Sequence, residues 1–486
     1  MEVKDLEPKA LWQNFAGLNA VPRASKKEAK VIQFMVDFGN SLGLETIKDQ
    51  IGNVVIKKPA TAGMENRKTV IMQSHLDMVH QKNGDSTFNF ETHGIDMYVD
   101  NDWVKARGTT LGADNGIGVA TIMSILAASD IPHPAIEALF TIDEETGMTG
   151  AKQLDPANLS GTILLNLDTE EDHELTIGCA GGIDTNTIYN YKQVPVASDG
   201  TAFQVTIKGL LGGHSGMDIH KGRANANKLM NRLLFNAVKD INLQLSAIDG
   251  GSLRNAIPRE SKAVVVVPDN QQEAFLSFVQ NFAGVIQAEY NSIEPSLSIT
   301  ADRTEIPAQV VEHSDFVKII HTIYALPNGV FRMSPDIEDL VEASSNLARI
   351  IVKGGDFITQ SLQRSSVESS KTDVAYAVAA AFEVMGCNVS RSGDYPGWKP
   401  NADSDILRLM TRIYKETFSE DADVNACHAG LECGILGAHL PGMDMISFGP
   451  TIHGAHSPDE KVKIPSVQKF WGYLLKVLSQ IPEKTN

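Results

Sequence analysis

Three short runs of this chain are apolar on nearly every residue and then stop at acids or imidazole. Val70-Ile71-Met72 is followed by His75 and Asp77. Ala138-Leu139-Phe140-Thr141-Ile142 is followed by Glu144 and Glu145, and Ile163-Leu164-Leu165-Asn166-Leu167 by Asp168. A strand apolar on both faces has to be covered on both faces. Around these runs lie segments with helical spacing: Leu11, Phe15 and Leu18, then Val31, Ile32, Met35 and Phe38, then the small-residue stretch 115–129. Helices alternating with buried strands predict a covered, mostly parallel α/β sheet. Imidazole and carboxylate at the ends of several strands are what a catalytic metal site needs.

The texture changes near residue 185. Phe203-Gln204-Val205-Thr206-Ile207 alternates, as a half-exposed strand does. Helices near 223–239 and 271–289 are interleaved with strands near 242–247, 262–267 and 296–302. Helices 314–324 and 371–385 flank strands near 345–352 and 356–363. Two runs of β-α-β-β type predict antiparallel sheet with helices on one face, an α+β domain. GDYPGWKP at 393–400 reads as a linker back. The tail, with helices near 403–417 and 465–480 and an apolar stretch at 444–449, resembles the first segment in style. The expected architecture is one α/β domain built from both chain ends, 1–182 and 393–486, with an α+β domain inserted at 183–392.

At 486 residues the chain has ample length for a large core. Its formal net charge of −18 argues against nucleic-acid binding and for a self-repelling surface. The four cysteines fit no disulfide framework and none sits in a CxxC pair, as in a reducing compartment. The amphipathic start lacks a secretory apolar region, and no run of about 20 apolar residues occurs. The chain therefore reads as cytoplasmic, with no membrane partner.

His75 and Asp77, two apart on a strand, share a face. His75 could hold a metal while Asp77 orients the ring, or the two could simply close a strand as a satisfied polar pair. Asp114, among the glycines of GADNGIG, could bridge two cations or cap the helix that follows. Glu144 and Glu145 diverge, so one can bind a metal while the other faces water; alternatively they begin a solvated helix. Asp168 heads the acidic run Asp168-Thr169-Glu170-Glu171-Asp172, which reads as mostly solvated. His428 and Glu432, four apart, would share a helical face. His453 and His456 near the end, and His214 within Gly212-Gly213-His214-Ser215-Gly216, are each ordinary loop histidines when taken alone. No GxSxG element is present, so serine-triad chemistry has little support.

Taken together, HLD, GADNG, EE, the later Asp168, GGHSG and a C-terminal HS resemble, in order, the di-zinc aminoacylase and glutamate carboxypeptidase superfamily. KPATAGMENRK at 58–68, KARGTTLGADNGIG at 105–118, GCAGGID at 178–184, LRNAIPRE at 253–260, HAGLECG at 428–434 and GPTIHGAHSPDE at 449–460 are similar to its bacterial aminoacyl-histidine dipeptidases, the carnosinase-like PepD enzymes. The resemblance runs over nearly the whole chain. It implies a di-zinc aminopeptidase-like catalytic domain with the inserted domain as a lid. His75 and Asp168 would hold one Zn²⁺, Glu145 and His456 the other, and Asp114 would bridge them, with Co²⁺ or Mn²⁺ able to substitute. Asp77 would orient His75, and Glu144 would be the general base for a metal-activated water. His214 would close on the reacting carbonyl, and Asn255 and Arg364 would bind substrate. It also implies a cis peptide at Asp114-Asn115. The implied substrate is a small dipeptide of Xaa-His type, including β-alanyl-histidine, and a homodimer stays open. Two rival functions remain: an N-acyl amino acid deacylase, and a metal-dependent binding module without catalysis.

Overall fold

The computed structural model describes residues 2–484. The three apolar runs lie side by side in an eight-stranded sheet, with Val70–His75 between Ile136–Thr141 and Ile163–Asn166. Both pairings are parallel, and Val70 registers with both Ile136 and Ile163. The strands start level, so their C-terminal ends emerge together. Every residue of these three strands is buried, including Gln73, Ser74, His75, Glu137 and Asn166.

The sheet is mixed where a mostly parallel one was expected. Asp444–Ser447 adds in parallel to Ile163–Asn166, but Glu45–Lys48 and Val54–Lys58 join antiparallel on the other side. Glu174–Cys179 pairs antiparallel with Asp444–Ser447, and Asp423–Cys427 forms the far edge. For the first two strands the reason is local. Asp49 Oδ1 accepts the backbone N–H groups of Ile51, Gly52 and Asn53, closing a tight turn between the first two strands. A turn that short permits only antiparallel pairing.

The helix Ala113–Ala127 is buried along almost its whole length and shares a core with Leu11, Trp12 and Phe15 of helix Lys9–Asn19. A separate four-stranded sheet runs Ile452–His453, Lys461–Lys463, Trp103–Ala106, Met97–Asp100. His456 sits in the loop between the first two of these strands. Its left-handed backbone (φ 64°) is uncommon for a residue with a Cβ.

The chain forms two compact units. The first comprises Met1–Gly178, Trp398–Ala426 and Leu431–Asn486, and the second Cys179–Gly397 with Cys427–Gly430. The second is built on an antiparallel sheet ordered Ser298–Arg303, Gly200–Lys208, Ser261–Pro268, Gln244–Gly251, Val341–Lys353, Asp356–Ser365, Gly181–Asn190, Asn388–Tyr395. Helices Ala226–Asp240, Gln272–Tyr290, His313–Ala325 and Glu368–Met385 contribute to one core with these strands. Gly182 registers with Tyr395, so the start and end of the 179–397 segment are neighbours.

Two local readings are corrected. The expected linker 393–400 begins as strand, because Gly393 (φ 61°) and a register shift between Ser392 and Tyr395 let pairing continue to Tyr395. His428 and Glu432 do not share a helix. Leu431 is extended (φ −132°, ψ 154°), and the helix Glu432–His439 starts only after it. Among the described residues, no helix is long and apolar enough to cross a membrane.

Candidate active site

The level strand ends of the first unit gather the candidate residues. His75 is the last residue of its strand. Its Nδ1 lies 3.2 Å from the Asp77 carbonyl oxygen and 3.4 Å from Asp77 Oδ1. Those acceptors favour a proton on Nδ1, which leaves the Nε2 lone pair free. Nε2 faces Asp114 Oδ1 at 3.1 Å and Asp168 Oδ1 at 3.5 Å. On the other side, His456 Nε2 lies 3.2 Å from Asp114 Oδ2 and 3.0 Å from Glu145 Oε2. Asp114 thus stands between two imidazoles, one oxygen turned to each.

Backbone geometry sets this up. Gly112 is left-handed, Asp114 and Asn115 depart from helical angles, and the Asp114-Asn115 peptide is cis. Asn115 Nδ2 donates to the Leu167 carbonyl at 2.5 Å, tying this turn to the strand end that carries Asp168. After Ile136–Thr141, Asp143 turns the chain with φ 54°, and its carboxylate accepts from the hydroxyls of Thr146 and Thr149. The short helix Glu144–Gly147 follows. Asp77 Oδ1 and Oδ2 accept the backbone N–H groups of Glu144 and Glu145 at 3.0 and 3.3 Å, and Ser25 Oγ donates to Oδ2 at 2.8 Å.

The electrostatics are those of carboxylates crowded without enough positive charge. Burial pushes Glu144 well above the usual range; His75 opposes this, while Asp168, Glu432 and Glu145 add to it. Burial likewise raises Glu145 and Asp168. It lifts Glu170 to about 8, with Asp114 and Asp168 contributing. Asp114 and Glu145 hold His456 up to about 11. For His75, burial opposes protonation but is outweighed by Asp168, Asp114 and Asp77, which raise it well above its ordinary value. Glu145 Oε1 and Asp168 Oδ1 are buried without a hydrogen-bond partner. Single ligand atoms of His75, Asp114 and Glu145 lie within 4.8 Å of one another. Orphaned carboxylate oxygens beside two imidazoles are a donor set that fits borderline divalent cations such as zinc.

The other three candidates belong to the second unit. His214 pairs across a two-residue strand with Ala256, and Ser215 N–H donates to the Asn255 carbonyl at 2.8 Å. The Asn255 side chain is exposed. Arg364 is buried; its Nε donates to Ser215 Oγ at 3.2 Å and its Nη1 to Tyr395 Oη at 2.8 Å. His214 Nδ1 accepts the N–H groups of Gly216 and Met217 at 3.2 and 3.0 Å, and Arg364 Nη2 lies 3.4 Å from Nε2, so both ring nitrogens face donors. Burial, then the Arg364 charge, lower His214 to about 4.

Several residues here escape a sequence reading. Arg23, Ser25, Gln73, Tyr395 and Glu460 carry no local signature, since most of their partners are far away in sequence, and Glu432 reads only as a helical neighbour of His428. Glu432 is fully buried and accepts from Gln73 Nε2 and Thr141 Oγ1, both at 2.6 Å. The acidic run after Asp168 is half-buried, not solvated: Glu171 lies 3.4 Å from His453, and Asp172 pairs with Lys469 at 2.7 Å. Its neighbours are supplied by the C-terminal segment, which the run itself cannot reveal.

Residues 71–480 match the model of Peptidase family M20/M25/M40. The cytosol non-specific dipeptidase of Escherichia coli (strain K12) is 40% identical over 486 residues, covering 99% of this chain and 100% of the relative. The crystal structure of aminoacylhistidine dipeptidase from Vibrio alginolyticus superposes with a TM-score of 0.93 at 43% identity, covering 100% of this chain and 99% of that one. Aminopeptidase PepT from Bacillus cereus ATCC 10987 shares the fold, with a TM-score of 0.57 at 15% identity over 98% of this chain and 99% of its own. By the strand ends that gather its acids and imidazoles, and by these likenesses, the chain belongs to peptidase family M20/M25/M40.

Proposed function

We propose that the chain is a metal-dependent dipeptidase that hydrolyses Xaa-His dipeptides, including β-alanyl-histidine, with two zinc ions and Glu144 as general base. The observation that carries the reading is Asp114, whose two carboxylate oxygens each face a different imidazole, His75 at 3.1 Å and His456 at 3.2 Å. His75 and Asp168 would hold one ion, Glu145 and His456 the other, and Asp114 both. Bound there, two divalent ions polarise a peptide carbonyl and acidify water.

Glu144 is assigned as the base and stands outside the proposed ligand set. Its backbone is fixed by Asp77, and its raised carboxyl suits a group that takes a proton from the attacking water and delivers it to the leaving amine. Asp77 steadies His75 and the Glu144 turn together. In the second unit, Arg364 is assigned to the substrate carboxylate. It is buried, and no ion pair of its guanidinium is found among the described residues, while a guanidinium can grip a carboxylate through two parallel bonds. His214 is assigned to the reacting carbonyl of the substrate, and Asn255 as a polar contact.

The test is a panel of substrates on metal-stripped protein reloaded with Zn²⁺, Co²⁺ or Mn²⁺. The expected result is metal-dependent cleavage of free dipeptides, led by those with C-terminal histidine. Preference for N-acetyl amino acids would make the chain a deacylase, and metal uptake without any turnover would leave a binding module.

A further inference from the structure

Two buried residues outside the ligand set grip the loop that carries Asp114. Glu460 accepts the N–H groups of four consecutive residues: Leu111 and Gly112 on Oε2 at 2.7 and 2.9 Å, and Ala113 and Asp114 on Oε1 at 2.7 and 3.2 Å. Arg23 uses Nη1 for the carbonyls of Leu76 and Asp77, both at 3.1 Å, and Nη2 for Asn19 Oδ1 at 2.9 Å and the Gly112 carbonyl at 2.5 Å. Both side chains are almost wholly buried, at 3% and 1% exposure. Gly112 therefore has its N–H held by a carboxylate and its carbonyl by a guanidinium.

Only glycine fits that grip. Gly112 has φ 70°, and a Cβ there would lie 2.4 Å from Arg23 Nη2 and 2.8 Å from Met78 Sδ. Asn19 adds a bond from Nδ2 to the Leu111 carbonyl at 2.9 Å. The covalent connections give the grip its meaning. Glu460 lies four residues after His456, Arg23 holds the carbonyls beside His75, and the held loop ends at Asp114. Every ligand-bearing segment except those of Glu145 and Asp168 is fastened by these two side chains.

We propose that Glu460 and Arg23 are positioning residues that hold Asp114 at a fixed distance from His456 and His75, so that the site is arranged for two bridged ions before either binds. A buried carboxylate accepting four amides and a buried guanidinium serving four oxygens are expensive to desolvate, and both spend their polar atoms on the loop and its neighbours. This inference rests on the two-ion reading above and deepens it.

The experiment titrates Mn²⁺ into metal-stripped full-length protein, reading stoichiometry by calorimetry and the exchange-coupled signal of a bridged ion pair by electron paramagnetic resonance. The variants are Glu460→Gln and Arg23→Lys. Glu137→Gln serves as control, because Glu137 is a buried carboxylate that also accepts backbone N–H groups, from Ser160 and Gly161, without holding a ligand segment. The expected outcome is that Glu460→Gln and Arg23→Lys bind the second ion roughly 10- to 100-fold more weakly and lose the coupled signal. The control loses thermal stability only. Two coupled ions bound with parental affinity in both variants overturn the proposal. A parent that takes up no pair of ions overturns the two-ion reading and this inference with it. Should neither variant fold, hydrogen exchange on the metal-free parent decides. The amides of Leu111–Asp114 are expected to exchange slowly, and fast exchange there overturns the prearranged loop.

Discussion

Asp77 accepts the backbone N–H of Glu144 at 3.0 Å on Oδ1, the oxygen that lies 3.4 Å from His75 Nδ1, so one carboxylate sets both a candidate ligand and the candidate base. Replacing Asp77 by Ala should disturb two functions at once. The expected result is a weaker metal at the His75 side, by roughly 10-fold or more, together with a fall in kcat at saturating metal. Zinc titration and kinetics at high Zn²⁺ separate the two. Full recovery of kcat by added metal would show that Asp77 acts only through His75.

Glu144 and Glu145 are adjacent but are assigned different tasks. Glu144→Gln should keep both ions and lose turnover on the order of 10²-fold or more, with KM little changed. Glu145→Gln should lose one ion, because the Glu145 carboxylate lies 3.0 Å from His456 and shares its side of Asp114. Metal analysis of the two purified variants checks this. An emptied Glu144→Gln beside a fully loaded Glu145→Gln would reverse the roles.

Arg364→Ala should raise KM for Xaa-His substrates by the equivalent of about 2–3 kcal/mol, since it removes a charged hydrogen-bonding partner. It should also shrink the difference between a dipeptide and its C-terminal amide. If the variant still rejects the amide as strongly as the parent, another cation reads the carboxylate, and Arg254 and Arg259 are next to be replaced.

Acid should weaken the second unit. His428 is buried with Ser344 Oγ 2.7 Å from its Nε2, and burial followed by the Arg364 charge lowers it to about 3, while His214 falls to about 4. Both lie below the usual histidine value, so as pH falls the unfolded chain takes up these protons first. Stability is then lost progressively from about pH 6.5 down towards each folded-state value, and regained as pH rises. Denaturant melts of His428→Asn between pH 7 and 4.5 should slope less steeply than those of the parent. Equal slopes would remove His428 from the account.

Stripping the metals should leave mutually repelling carboxylates. Each ion present at about 1,000 times its dissociation constant would add about 4 kcal/mol to stability. Calorimetric melts with and without a chelator measure it, and an unchanged Tm would contradict a loaded site.

Much of the site was legible because its residues stand at strand ends. The apolar runs ending at His75, Glu144 and Asp168 needed only periodicity and the chemistry of the next residue, and the parallel registers from Val70 explain why those ends converge. What stayed hidden depended on partners distant in sequence. Glu460 is one acid in HSPDE until the fold brings Leu111–Asp114 to it, and Arg23 is a lone cation in VPRAS until it meets Gly112. At one sheet edge the reason is instead local, where a turn organised by Asp49 sets the direction of Glu45–Lys48 against Val54–Lys58. His428 and Glu432 misled because helical spacing carries no information about where a helix starts.

Strand Asp444–Ser447 occupies an interior slot of the first sheet, between Ile163–Asn166 and Glu174–Cys179. A ribosome delivers both neighbours long before the strand that separates them. Until it arrives, the nascent chain carries an open backbone edge along Ile163–Asn166, the kind of edge that pairs with other chains. His456 and Glu460 emerge later still. A chain interrupted before Asp444 would lack the strand, the proposed ligand His456 and Glu460 together, so uptake of a full metal pair would report that synthesis had passed Glu460.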